Sequence, residues 1–375
     1  MIQHNLFFWQ NTNSIHQSAF LNSLASIKFC KVTLIVTEKL APNRINMGWK
    51  EPILKDVTIL RMHEENCKWQ ELLEINNGGN CFHIFSGLHA FPKVQQAFEY
   101  AIKNKCRAGI FTEPLDLRGV KGCLRWMRGF YHRLLYEKHI ELILTTGSKG
   151  VSQFKNWRYE VDKIFEWAYT VEESKNKSPE LDDCHEYKVL FVGSLAIWKG
   201  YDILIRALKT IKREKIIADL YCVGPSDLEF SRQIKERFKL SDNIRLLPFQ
   251  SNEAIRTCMN SYDLLVLPSR YDGWGAVISE SIMEGTPVLV SKRCGASTLI
   301  SSVKVGKVIN QLTTYEVSKQ LKLFMNIGKV NLEKRNNLKE WANEHISGAA
   351  MASYFIDIIN HVEGEIKIKP EAPWN

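Results

Sequence analysis

The chain has 375 residues, 45% of them hydrophobic and 24% charged, which leaves room for two domains with ordinary globular cores. No apolar run approaches the roughly 20 residues that span a bilayer, and the first residues lack a basic stretch followed by a long apolar core, so neither a membrane span nor a secretory leader is expected. Nine cysteines stand singly with no CxxC pair, which predicts reduced thiols and a cytoplasmic chain, while the net charge of +9 asks for an anionic partner without choosing among nucleic acid, phospholipid and nucleotide sugar.

In the N-terminal half, predicted strands at 6–9, 31–36, 81–86, 107–111 and 141–146 alternate with predicted helices at 14–27, 90–102 and 118–138. Ser14 is the expected N-cap of the first helix, and 163–168 is ambiguous. Such alternation predicts a parallel sheet flanked by helices, with ligands beyond the carboxyl ends of the strands. Residues just past those ends are therefore candidates. His16 follows the first strand, Gly87 and His89 follow 81–86, and Thr112, Glu113 and Pro114 follow 107–111. Each histidine either faces a ligand or lies on the surface. Glu113 either faces a ligand or caps the chain before Pro114.

Arg118, Lys121, Arg125, Arg128 and His132 recur at helical spacing and form one basic stripe. Cys123, Trp126, Met127, Phe130 and Leu134 fall opposite and are expected to pack on the core. Gly122 and Gly129 weaken this helix. The stripe is either a solvated face or a contact with an anionic membrane, where each Lys or Arg contributes about 1 kcal/mol; we expect membrane contact through 118–138. The basic residues lack the aromatic-interleaved surface of nucleic-acid modules, so no nucleic-acid partner is expected. Residues 172–186 are polar, lysine-rich and acidic, and read as an interdomain linker.

The C-terminal half opens with a predicted strand at 188–193, a loop from Ser194 to Trp198, then Lys199 and Gly200 before a helix at 201–211. Strands follow at 219–223, ending at Gly224, and at 243–247, with Phe249 just past its tip. Phe249 either stacks on a base or packs the sheet edge. A helix is expected at 253–259. Residues 262–291 then read as a strand, a loop at 269–274, a helix from 276 to 284 opened by Gly275 and closed by Gly285, and a second strand. This places Asp272 and Glu280 eight positions apart. Between them the amides of Gly275, Ala276 and Val277 lie at a helix N-terminus, which suits a phosphate. A long helix is expected at 341–359, and the tail at 367–375 is expected to fray.

The run Asp272 to Glu280, followed by Met283, Glu284, Gly285, Thr286, Pro287 and Val288, resembles the signature of the family-4 glycosyltransferases of the GT-B fold: Glu, seven residues, Glu, then an apolar-Gly-x-Pro-Val strand. The turn from Gly193 to Lys199 and Gly200 is similar to that family's second fingerprint. Three positions depart: Asp272 stands where the family has Glu, Ser194 where it has Arg, and Asn11 to Gln17 where it often has a glycine-rich loop. The resemblance implies an α/β architecture of two Rossmann-like domains facing a central cleft. The implied divisions are 1–172, 187–346 and a last helical segment, 347–375, crossing back to the first domain. It implies transfer of a sugar from a nucleotide-diphosphate sugar, with retention of configuration. The implied acceptor is a glycan or a lipid-linked intermediate of polysaccharide or lipopolysaccharide synthesis, and the implied location is the cytoplasm or the inner face of the plasma membrane.

By the same resemblance Lys199 grips the diphosphate with the amides of Gly275, Ala276 and Val277, Ser194 gives one hydrogen bond, and Glu280 takes the ribose hydroxyls. Gly224 and Phe249 lie by the nucleotide, and Asp272, Gly273 and Trp274 border the sugar. Glu113 occupies the place of a family histidine beside the donor sugar and either accepts from a sugar hydroxyl or orients the acceptor; His16 and His89, by their places in the chain and not by the resemblance, stay candidate substrate contacts. No carboxylate or histidine cluster has metal-ligand spacing, so no metal or other cofactor is expected. Two alternatives are a non-catalytic nucleotide-sugar-binding homologue and a nucleotide-sugar epimerase on the same fold.

Overall fold

The computed structural model describes residues 3–42, 45, 50–64, 67–87, 90–177, 186–212, 215–222, 228–248, 250–302 and 305–375. The chain divides into two compact units. One takes in 1–40, 51–172 and 345–375, the other 41–50 and 173–344.

The first unit holds strands β1 (His4–Gln10), β2 (Cys30–Val36), β3 (Val57–Arg61), β4 (Cys81–Ser86), β5 (Ala108–Thr112), β6 (Ile140–Thr146) and β7 (Ile164–Trp167). Its helices are α1 (Ile15–Ala25), α2 (Trp69–Ile75), α3 (Pro92–Lys103), α4 (Gly119–Tyr136) and α5 (Gly147–Asn156). The strands pair in parallel in the order β3-β2-β1-β4-β5-β6-β7. β4 is buried at every position, and β1 and β6 at all but one. Burial on both faces explains why these strands read as apolar runs without alternation. β3, at the sheet edge, is only partly buried, which is why its mixed sequence escaped the sequence reading. Ser14 caps α1 as expected, its hydroxyl accepting from the His16 amide at 3.3 Å.

The second unit holds β8 (Tyr187–Gly193), α6 (Tyr201–Leu208), β9 (Ile216–Cys222), α7 (Leu228–Phe238), β10 (Ile244–Leu247), α8 (Asn252–Met259), β11 (Leu264–Leu267) and α9 (Ala276–Met283). It continues through β12 (Val288–Ser291), α10 (Thr298–Ser302), β13 (Gly306–Ile309), α11 (Thr314–Ile327) and α12 (Leu332–His345). Its sheet is again parallel, in the order β10-β9-β8-β11-β12-β13. The order reverses between β8 and β11, so the loops leaving those strands flank the crevice where ligands bind in such sheets.

The helix expected over 341–359 is two helices. α12 stops at His345, and α13 (Gly348–Val362) starts afresh with Ser347 as its cap, accepting from Ala350 N at 3.2 Å. Val171 pairs with Ser347 at this break. α13 lies on α1 in the first unit; a Cβ on Gly348 would stand 2.1 Å from the carbonyl oxygen of Ala19.

α4 corrects the sequence reading of its faces. The helix packs through Gly122, Gly129 and His132. Added Cβ atoms on the glycines would lie 2.0 Å from the Leu117 backbone and from the Trp157 ring. His132 is buried, its Nδ1 within 2.7 Å of the Tyr159 hydroxyl, and does not belong to the basic surface. Because the seam is made of glycines, the large side chains turn outward. Cys123, Trp126, Met127 and Leu134, expected in the core, are exposed, and Phe130 is only partly buried. No described helix is long and apolar enough to cross a membrane.

His83 on β4 is fully buried. Its Nδ1 accepts from the Trp9 indole at 3.2 Å, and its Nε2 lies 2.8 Å from the carbonyl oxygen of Asn76. Burial lowers its pKa from 6.5 to about 4, against the smaller upward pull of the Asn76 carbonyl. A neutral His83 therefore contributes full stability above pH 6.5, and that contribution is lost as pH falls toward 4, a change of about 3 kcal/mol over the window. The expected outcome is a steeper acid loss of urea stability in wild type than in His83→Gln, whose amide can serve both partners. Parallel curves would contradict this.

Candidate functional site

The loop after β8 and the loop after β11 meet in the second unit. The first turns through Ile197–Lys199 and enters α6 at Gly200, whose φ is +76°. A Cβ there would lie 1.9 Å from the carbonyl oxygen of Pro268, so only glycine allows the two loops this contact. Across it Lys199 Nζ donates to Asp272 Oδ2 at 2.7 Å, with both side chains largely shielded. Arg270 staples the loops together. Its amide donates to the Trp198 carbonyl at 2.6 Å and its guanidinium grips Asp202 on α6 at 2.7 and 2.9 Å. Burial alone would raise the Asp202 pKa, but the Arg270 hydrogen bonds and charge hold it below the usual range.

Gly275, at φ +88°, opens α9. The first amides of that helix have no acceptor within it, and Ala276 and Val277 remain partly exposed there. The loop before it is fixed from behind by a turn that no motif singles out. Gly295 N donates to Asp272 O at 3.1 Å, Ala296 N to Trp274 O at 2.8 Å, and the Cys294 thiol also lies against Trp274 O at 2.6 Å. One expected contact is corrected: the Trp274 side chain is buried, with its indole N–H on Ser279 at 3.1 Å, so only its backbone can border a ligand.

One turn into α9, Glu280 is buried and accepts from Asn252 Nδ2 at 2.9 Å. Burial pushes its pKa up; Asn252 and the Arg256 charge pull it down, and Glu284 adds to the rise. Glu284 is buried too, but differently committed. Arg256 pairs with it at 2.7 Å and Asn176 donates to it at 2.9 Å, with Ser174 Oγ also donating. The described start of the expected linker is thus bound to the second unit through Glu284, Lys339 and Asn260.

In the first unit the structure groups two expected residues with one unforeseen. His16 stacks on Tyr169 at 5.5 Å between ring centroids, and the Tyr169 hydroxyl donates to Glu113. They come from the carboxyl ends of β1, β5 and β7, the edge that parallel-sheet topology marks. Ser194 and Gly273 lie in the two loops of the second unit. His89, Gly224 and Phe249 lie outside the described residues. Among the described residues no three His, Cys, Asp or Glu side chains are grouped to hold a metal.

Residues 172–345 match the family model described as glycosyl transferases group 1. An uncharacterised glycosyltransferase of Methanocaldococcus jannaschii is 32% identical over 116 residues, 31% of this chain and 30% of that protein, so the chain matches under a third of that relative's length. A crystal structure of Anabaena HepE in complex with UDP and glucose superposes with a TM-score of 0.68 at 13% identity, covering 96% of this chain and 99% of that one. The apo form of the lipopolysaccharide outer core galactosyltransferase WaaB gives 0.67 at 14% identity, covering 96% and 99%. These two likenesses establish the GT-B fold.

Removing one member of a buried charge pair strands the other, at about 3–5 kcal/mol. Glu284→Ala should therefore lower unfolding stability by about that much, since it strands Arg256 and frees the 174–176 segment. Chemical denaturation of the intact chain measures it, and a change under about 1 kcal/mol would show the pair to be replaceable by water.

Proposed function

We propose, from the match of residues 172–345 to the family model described as glycosyl transferases group 1, that the chain transfers a hexosyl or related sugar from a nucleotide-diphosphate sugar to an acceptor, with retention of configuration. The observation that carries this reading is the Lys199–Asp272 pair at the N-terminus of α9. An ammonium beside first-turn amides is the environment that stabilises a departing diphosphate. In this reading the diphosphate takes Lys199 from Asp272, and the released carboxylate turns to the sugar. The amides of Ala276 and Val277 share the leaving charge, so no metal is required. Glu280 takes the ribose hydroxyls, Ser194 adds a hydrogen bond, and Glu113 with His16 serves the acceptor in the first unit. The HepE complexes with UDP and with UDP-glucose support the choice of donor class.

Lys199→Ala should cut turnover at least about a hundredfold, the scale of losing one preorganised charge donor, while the fold is kept. Product formation from a panel of nucleotide sugars measures it. Near-normal turnover would overturn the role. Donor conversion without an acceptor product would favour an epimerase, and binding without conversion a non-catalytic homologue.

We further propose that the acceptor is a lipid-linked or polysaccharide intermediate met at an anionic membrane surface; WaaB, named for lipopolysaccharide, supports that class. The observation here is α4. Val120, Leu124, Met127, Tyr131 and Leu134 form one exposed stripe, and Lys121, Arg125 and Arg128 lie exposed one residue along from its first three members. Such a helix inserts its apolar stripe at the headgroup boundary while the cations meet anionic lipid. Serine at Lys121, Arg125 and Arg128 should reduce vesicle co-sedimentation by up to about 3 kcal/mol of surface attraction, most at low salt. Serine at Leu124, Met127 and Leu134 should weaken binding at all salt concentrations. Equal sedimentation of wild type and both variants would leave α4 as a solvated face.

A further inference from the structure

The two buried carboxylates of this region are filled unequally. Glu284 is spent on the chain itself, with Arg256, Ser174 and Asn176. Glu280 accepts, among the described residues, one side-chain hydrogen bond, and it comes from the exposed Asn252 at the first position of α8. Ser251, the cap of α8, fixes where that helix begins and so where the Asn252 side chain is launched. The groups facing Glu280 are thus Asn252 and Arg256 from α8 and Glu284 from its own helix. Arg256 is committed to Glu284 at 2.7 Å, so Asn252 is the side chain that orients the Glu280 carboxylate.

A carboxylate offers about four lone-pair sites. An amide on Oε1 fixes the plane of the group and leaves Oε2 for neighbouring hydroxyls. We propose that Asn252 is a positioning residue for Glu280, holding its carboxylate turned to receive the adjacent 2′- and 3′-hydroxyls of a bound nucleotide's ribose. This rests on the ribose role given to Glu280 above. Burial disfavours the charged form that accepts from hydroxyls, and the Asn252 amide opposes that penalty. The nucleotide affinity of this chain then depends on a residue that packs on nothing in the core.

The test is calorimetry of the whole chain with UDP, 2′-deoxy-UDP, GDP and ADP from pH 5.5 to 8. Asn252 is exposed at a helix start, so Asn252→Ala and Asn252→Asp should fold as wild type, which a thermal melt checks. With the nucleotide that binds best, Asn252→Ala should lose about tenfold in affinity near neutral pH, the scale of a hydrogen bond to a charged group. The acid limb of its affinity profile should move up by about one pH unit. Asn252→Asp, which sets a second carboxylate against the first, should lose more. For 2′-deoxy-UDP, which lacks one of the hydroxyls, the Asn252→Ala loss should shrink to about twofold. If both variants bind like wild type with unmoved pH profiles while Glu280→Gln is weakened, Asn252 has no positioning role and the ribose role stands. If Glu280→Gln also binds as wild type, the ribose role fails and the proposal with it. If wild type binds none of the nucleotides, the nucleotide-sugar reading itself is overturned.

Discussion

The second unit depends on one backbone approach, that of Gly200 to Pro268. A side chain at 200 would occupy the space of the Pro268 carbonyl oxygen, so the loops after β8 and β11 lie together only with glycine there. Two charge pairs follow from this contact. Lys199, the residue before it, is brought to Asp272, and Arg270 can bridge to Asp202 and the Trp198 carbonyl. The two charge pairs then do different things. Arg270–Asp202 is bidentate and fixes geometry. Lys199–Asp272 is a single contact whose partners remain partly accessible, of a kind that contributes little to stability. In the proposed reaction its value lies in being exchangeable, since a diphosphate would offer the lysine more negative charge than one carboxylate does.

A similar division separates the two glutamates of α9. Glu280 and Glu284 stand four residues apart, hence on one face of the helix, and both are buried. Two carboxylates in one apolar neighbourhood repel, and the region resolves this with one guanidinium and three neutral donors. Three of the four go to Glu284, which thereby ties the segment after residue 172 to α9. Glu280 receives one. A carboxylate kept buried with a single side-chain donor is costly for folding alone, and that cost becomes intelligible if a ligand supplies the remaining hydrogen bonds.

The parallel sheets flanked by helices were legible from local grammar, apolar runs of strand length and glycine at helix ends, while the GT-B architecture was legible only through the resemblance of the 272–288 run to a family signature. β3 was not, because an edge strand needs no apolar run. The break at Ser347 was missed because apolar spacing continued through it while the cap hydrogen bond, a local cue, went unweighted. Tyr169 and Asn252 were invisible for another reason. Each matters through a partner 56 or 28 positions away, and no periodicity in one sequence reports such pairs. Trp274 misled because aromatic residues in signature loops suggest ligand stacking, whereas here the ring wedges under the loop and its N–H is spent on Ser279.

α4 inverts the usual rule for amphipathic helices, and the glycines decide it. Periodicity assigns the apolar stripe to the core because burying each large side chain stabilises by about 1.5–3 kcal/mol. At Gly122 and Gly129 the neighbouring Leu117 backbone and Trp157 ring come so close that no side chain fits, so the seam is already filled by partners from outside the helix. Val120 and Leu134 are left 82% and 74% exposed. Five apolar side chains in one stripe thus give up several kcal/mol that an ordinary core-facing orientation would have recovered. A soluble surface gains nothing from that arrangement, and contiguous exposed apolar patches of this kind mark interaction sites. Lys121, Arg125 and Arg128 lie beside the stripe, and that pairing of apolar area with positive charge is what motivates the proposed contact with an anionic lipid surface.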